Sequence, residues 1–220
     1  MDHTSWMVEL LGRMRRERNG AVADAMRVCG KPYGLNYGVS LPTLRRLARA
    51  EGEDHAFARF LYEQDVRELR LAALHVAEPA RVKAAEFDFW AAGIVNSEVA
   101  EEAAFALLGR SESLAELFPR WLAHPAPLMQ YAALMAGARA ARCPAAWIAP
   151  TVEVVHRNAA DPSLPAWAAR LTAQGAVALL AACGAQNEEN RQAVIRAAGS
   201  LGKLPAEDYV HEELAWRLEA

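Results

Sequence analysis

Residues 64–76 read QDVRELRLAALHV, and three later stretches repeat their layout: NSEVAEEAAFALL at 96–108, HPAPLMQYAALMA at 124–136 and DPSLPAWAARLTA at 161–173. Each opens on a polar or turn-like pair and reaches a small apolar centre at the same offset. Ala72, Ala104, Ala132 and Ala169 coincide in this register, and the starts lie 32, 28 and 37 residues apart. Self-similarity at that period belongs to stacked helical pairs of the HEAT type. A small residue at the recurring position has a physical use, because it lets stacked helices approach closely. The expected fold is therefore all-α, a right-handed, curved solenoid of HEAT-like antiparallel helix pairs occupying 1–220 as one helical-repeat domain. In such solenoids the second helices of successive pairs line a concave face.

The flanking sequence agrees. Trp6, Val8, Leu10, Leu11 and Met14 recur at helical spacing and run into the basic stretch 13–18. Asn19 is placed to cap a helix over 21–28, which Gly30 and Pro32 stop. YGLNYGVSLP, 33–42, is rich in Gly, Asn and Tyr and reads as an ordered loop. Ser40 can cap, and Pro42 fits the first turn of, a helix over 41–50. Further helices are expected over 54–63, 65–77, 82–92, 97–108, 111–123, 127–142, 145–157, 164–182, 188–201 and 206–218. Ala supplies 48 of 220 residues, and it is the strongest helix former because it loses no side-chain entropy.

Charge narrows the function classes. Twenty-four basic residues against 27 acidic leave −3, which excludes a uniformly basic nucleic-acid protein. The distribution is uneven: +5 over 1–50, −7 over 51–120 and −1 over 121–220. The basic start could carry a local phosphate contact or form a solvated helix face. The acidic middle would repel a duplex if it lined the groove. Cys29, Cys143 and Cys183 are odd in number, widely spaced and without CxxC. That argues against a disulfide framework or a zinc site and for small core residues in a reducing cytoplasm. No apolar run approaches the roughly 18 residues of a membrane span.

P-loop, dinucleotide-binding, HExxH and GxSxG signatures are absent. The six histidines lack metal-ligand spacing and read as surface or helix-end residues, so no metal and no cofactor is expected. Trp90, Trp121, Trp147 and Trp216 sit in apolar helices and read as core. Arg70, Glu102, Gln130 and Trp167 share one repeat position; three are polar, so the position reads as outward-facing or groove-facing. Trp167, Tyr131 and Arg170 could form an aromatic and cationic surface that stacks bases, or Trp167 could seal a seam between repeats. Within 96–102, Asn96 or Ser97 caps a helix with Glu98 in its first turn. Glu101, four residues after Ser97 on the same face, could project into a groove.

The stretches YGLNYGVSLPTLRRLARA (33–50), QDVRELRLAAL (64–74) and GAVALLAACGAQNEENRQAVIRAAGSLGKL (175–204) resemble the DNA alkylation repair family of AlkD-like proteins, over roughly 6–204. The resemblance implies a HEAT-like solenoid whose characterised members excise positively charged alkylated purines without a metal. In that family an Asp in an Asn-Trp-Asp-x-x-Asp-like stretch stabilises the sugar cation, tryptophans pack beside the nucleotide, and an Arg grips the backbone. Here the first Trp falls on Ser97 and the Asp on Glu101; the Arg falls near Gln130 or Tyr131, and the second Trp falls in the non-aromatic 174–178. An extra methylene displaces the carboxylate, and a shift of about 1 Å can cost about 100-fold in rate.

The resemblance thus implies a divergent member that binds double-stranded DNA in a concave groove, with glycosylase activity degenerate or altered. The candidate catalytic residues are Glu101 and then Glu98. The candidate nucleic-acid contacts are Lys31, Arg45, Arg46, Arg70, Tyr131, Arg139, Arg142, Trp167 and Arg170. The competing reading is a non-catalytic scaffold that binds a protein partner.

Overall fold

The computed structural model describes residues 2–30 and 33–218. Thirteen α-helices form among them: α1 His3–Arg16, α2 Gly20–Val28, α3 Leu41–Arg49, α4 His55–Tyr62, α5 Arg67–Val76, α6 Phe87–Ala92, α7 Ser97–Ala106, α8 Leu114–Leu122, α9 Pro127–Ala138, α10 Ile148–Ala160, α11 Ala166–Gly184, α12 Glu188–Ala198 and α13 Pro205–Leu218. The fold is all-α; the described residues form no strand, only an isolated bridge between Leu35 and Val66. Asn19, Ser40 and Asn96 cap their helices through side-chain oxygens that accept from the backbone N–H groups of Val22, Thr43 and Val99. The helix expected over 82–92 is shorter than its periodicity suggests. Lys83 is extended, a 3-10 turn follows at Ala84–Glu86, and only α6 is α-helical.

The chain divides into two compact units, 1–107 and 108–220. In the first, α4 pairs with α5, and α5 packs between α3 and α7. In the second, α8 pairs with α9 and α10 with α11, and α11 packs against α9, α12 and α13. The repeated alanine does what its size allows: Ala72, Ala104 and Ala132 have no exposed surface. At the fourth position Ala168 takes that place, one residue before the aligned Ala169, which is half-buried. Closeness of α9 to α11 is enforced at Gly175, where a Cβ would lie 3.0 Å from Leu134 and Tyr131 side-chain carbons.

Stacking alone leaves the loop 33–40 unattached, and buried charge fastens it. Arg67, on α5, is fully buried. Its Nε and Nη2 donate to Glu98 on α7 at 2.9 and 2.6 Å, and its Nη1 donates to the Val39 carbonyl at 2.9 Å and to Glu68 at 3.1 Å. Glu68 in turn accepts the backbone N–H groups of Tyr37 and Val39, each at 3.2 Å. The Tyr33 hydroxyl donates to Glu98 at 2.6 Å, and burial followed by that carboxylate raises the phenol far above its ordinary range. Gly38 closes the loop at φ +70°, where a Cβ would also strike the Asn19 carbonyl.

Several expectations are corrected. Cys143 and Cys183 are buried and joined as a disulfide, with Cα atoms 5.2 Å apart. Their 40-residue separation hid a pair that only the packing after α9 and along α11 brings together. Cys29 is exposed rather than core. Trp90 and Trp121 are core, and Trp147 is half-buried against Phe118. Trp216 is 76% exposed, because the buried stripe of α13 runs through Val210, Leu214 and Leu218 and leaves 216 on the opposite side. His55 and His75 do stand at helix ends, but their side chains are buried, each bonded to a carboxylate. By length and composition α11 could cross a membrane, but half of it is buried inside the protein.

Replacing Arg67 with Ala strands two buried carboxylates and frees the loop. Urea unfolding of Arg67→Ala should show a loss of about 3–5 kcal/mol.

Candidate nucleic-acid interface

Helix α7 offers three carboxylates, and helical geometry sorts them. Glu98 and Glu102 are four residues apart on one face, and both are buried. Glu98 is held by Arg67 and Tyr33 and does not face solvent, which corrects its reading as a second catalytic candidate. Glu102 accepts from Arg45 Nε at 2.9 Å and Nη2 at 2.7 Å, and lies 2.5 Å from His75 Nε2. Burial alone would raise the Glu102 carboxyl. The His75 and Arg45 hydrogen bonds outweigh it and hold the group at about 2. Glu101, on the same helix, is exposed.

The expected cationic contacts divide the same way. Arg45 is bound to Glu102 and lies over the Phe105 ring at 4.6 Å, so its charge is already neutralised. Arg70 is mostly buried, with its Nη2 on the Gln64 carbonyl at 3.4 Å and Asp65 at 3.7 Å. Tyr131 is buried, so it cannot join an outer aromatic surface. Arg46, Arg139, Arg142 and Arg170 are exposed, and Lys31 lies outside the described residues. The shared repeat position is therefore not uniformly outward. Glu102 is bound as described, and Gln130 is buried in a chain with Asn158 and Thr172, its Oε1 accepting from Asn158 at 2.6 Å. Only Trp167 is displayed, at 67% exposure.

Trp167 does have an aromatic and cationic neighbourhood, but with a different tyrosine. Arg170 follows it by three residues on α11, so the two side chains are neighbours. The Arg170 guanidinium sits 3.4 Å over the Tyr209 ring of α13. Tyr209 carries no signal in the sequence, since 39 residues separate it from Arg170. His75 escapes sequence reasoning for a similar reason: its partner lies on the next repeat. Among the described residues no group of His, Cys, Asp and Glu could hold a metal ion.

The Glu102 carboxyl is depressed in the folded state, so its stabilisation is complete above the ordinary carboxylate range and fades as pH falls toward 2. The stability gap between the wild type and Glu102→Gln should be on the order of 3 kcal/mol near neutrality and should narrow steadily below about pH 5. Denaturant unfolding across that range checks it.

Among known proteins, a family model described as DNA alkylation repair enzyme matches residues 10–203. A comparison with the curated proteins finds no match. One solved structure, described as a new family of proteins related to the HEAT-like repeat DNA glycosylases with affinity for branched DNA structures, superposes with a TM-score of 0.73 at 16% identity, covering 99% of this chain and 96% of the other. At that identity the likeness shows the fold, which is the HEAT-like helical repeat. With nearly its whole length matched by the family model, the chain belongs to the DNA alkylation repair enzyme family, as an AlkD-like member.

Proposed function

We propose that this protein binds DNA through exposed arginines and through the Trp167, Arg170 and Tyr209 face of its second unit, with the family's glycosylase chemistry reduced or lost. The observation that carries the reading is the display of Trp167. A tryptophan left two-thirds exposed beside a guanidinium stacked on tyrosine has no use in the core. Unstacked bases are the ligand such a face suits, because every base offers a π-face and stacking contributes about 1–3 kcal/mol per base. The structural neighbour's described affinity for branched DNA supports the same preference, since a branch point exposes bases that a continuous duplex hides. Arg46, Arg142 and Arg170 supply phosphate contacts, and Arg139 joins them as a further exposed cation.

The chemistry is placed on Glu101. It is the exposed carboxylate of α7, whereas Glu98 and Glu102 are buried. A carboxylate there stabilises positive charge developing on the sugar as the glycosidic bond breaks. The substrate's own cationic base is its leaving-group activation, so no general acid is required. By the resemblance, Ser97 falls where the family has an aromatic, and Gln130 or Tyr131 falls near its cation, which argues for weak turnover. A protein of this function works where DNA lies, and a cytoplasmic location fits it.

Gel shifts on duplex and branched DNA, run beside base release from alkylated duplex, test the proposal. Binding should weaken steeply between about 50 and 200 mM salt as counterions replace the protein at the phosphates. Trp167→Ala should cost about 5- to 150-fold on branched DNA, the equivalent of about 1–3 kcal/mol. Base release should disappear in Glu101→Gln. No binding even at low salt would overturn the DNA reading in favour of a protein partner.

A further inference from the structure

We infer that the recess between α8 and α10 binds a guanine base, carried either by a free nucleoside or by an unpaired position in a strand. The inference does not rest on the DNA-binding reading, and it concerns helices that contribute nothing to the Trp167 face.

The recess is a built feature. Helix α10 packs chiefly against α11 and touches α8 only slightly. The space left between them is about 330 Å³, the size of a small-molecule site, with Phe118, Pro119, Leu122, Trp147 and Pro150 in its walls. Phe118 and Leu122 are buried. Trp147 is stacked on Phe118 with ring centroids 4.2 Å apart and planes 17° from parallel. Behind both rings is Gly137 of α9, where a Cβ would lie 3.2 Å from Phe118 and 3.3 Å from Trp147. That close fit holds the aromatic wall in place before any ligand arrives. An indole and two pyrrolidine rings make flat apolar walls, which suit a planar ligand.

The polar groups choose among planar ligands. Glu153 and Arg157 also line the recess, and both are exposed. Arg157 follows Glu153 by four residues on α10, so their Cβ atoms are about 5–6 Å apart, and Glu before Arg is the favourable order for a helix-surface ion pair. Yet among the described residues neither has an ionic or hydrogen-bond partner, and the Trp147 indole N–H has none either. Pro150 brings no N–H to the carbonyl of Ala146, four residues before it and also in the wall. The recess thus offers two donors, from Trp147 and Arg157, and a carboxylate and a carbonyl as acceptors. Its charges sum to zero, so it fits a neutral ligand with donors and acceptors on one edge. A phosphate chain would meet Glu153 with one cation to offset it. Guanine has the required edge. Its ring N–H and amino group donate to a carboxylate, which can only accept, and its O6 and N7 take a guanidinium fork in bidentate fashion.

The test is isothermal titration of the full chain with guanosine, adenosine, an all-thymine single strand and the same strand carrying one guanine. It is repeated with Glu153→Gln, Arg157→Gln and Trp167→Ala. Guanosine should bind at least about tenfold tighter than adenosine, because adenine turns an unprotonated ring nitrogen toward Glu153 where guanine donates. Glu153→Gln should weaken guanosine about tenfold and narrow that preference, since an amide both accepts and donates. Arg157→Gln should weaken guanosine by a similar factor. Both side chains are exposed, so melting temperatures should stay within about two degrees of the wild type. Trp167→Ala should leave guanosine binding unchanged. A Glu153-dependent preference for the guanine-bearing strand draws the base from DNA, and guanosine binding without that preference makes it a free nucleoside; either supports the recess. No binding up to about 1 mM guanosine, or equal binding of guanosine and adenosine, overturns it and leaves the Trp167 reading untouched. A chain that binds guanosine but shifts no DNA overturns that reading and leaves the recess.

Discussion

The buried guanidinium of Arg67 holds the first unit to one arrangement. It sits where α5 meets α7 and where loop 33–40 crosses them, and it answers two carboxylates and a backbone carbonyl at once. Apolar packing between helices is tolerant of small slides, because one methyl neighbour replaces another at little cost. A buried charge is not tolerant, since moving it away from its partners leaves it unsolvated and unpaired. The loop contains no helix or strand of its own, so its path depends on Glu68 accepting two of its backbone N–H groups and on Glu98 accepting the Tyr33 hydroxyl.

The same device recurs along the chain. Glu86 is shared by His55 and Arg59, Glu102 by His75 and Arg45, and Glu207 by His156 and the start of α13. In the second unit neutral groups act alongside it, with Gln130, Asn158 and Thr172 linking α9, α10 and α11. Part of the acidic surplus of 51–120 is therefore neutralised within the fold. Glu51, Glu68, Glu86, Glu98 and Glu102 each have a cationic partner, and two of those partners, Arg13 and Arg45, come from the basic first segment. Opposite local charges meet inside the fold, while Arg16, Arg46 and Arg49 remain exposed to solvent.

The site was only partly legible, and particular residues show why. Trp167 stands out in the repeat register as the apolar residue at a polar position, and it is the displayed one. Arg45 and Arg70 look equally available in sequence, yet one is bound across helices to Glu102 and the other is folded back on its own turn. A charged side chain in sequence carries no record of its partner, and partners on adjacent repeats lie some 30 residues away. Tyr209 and His75 were invisible for that reason, as was the pairing of Cys143 with Cys183.

What the sequence by itself determined is the succession of helices, three of their caps and the repeat that stacks them, because these follow from periodicity, propensity and neighbours within four residues. Family membership lay within reach on the same grounds, since order and spacing are properties of the chain. Tertiary structure alone decided which charges are neutralised and which are displayed. That choice depends on distances between residues on different helices, and solvation in a crowded interior turns a difference of a few ångströms into one between a structural tie and a surface able to hold a ligand.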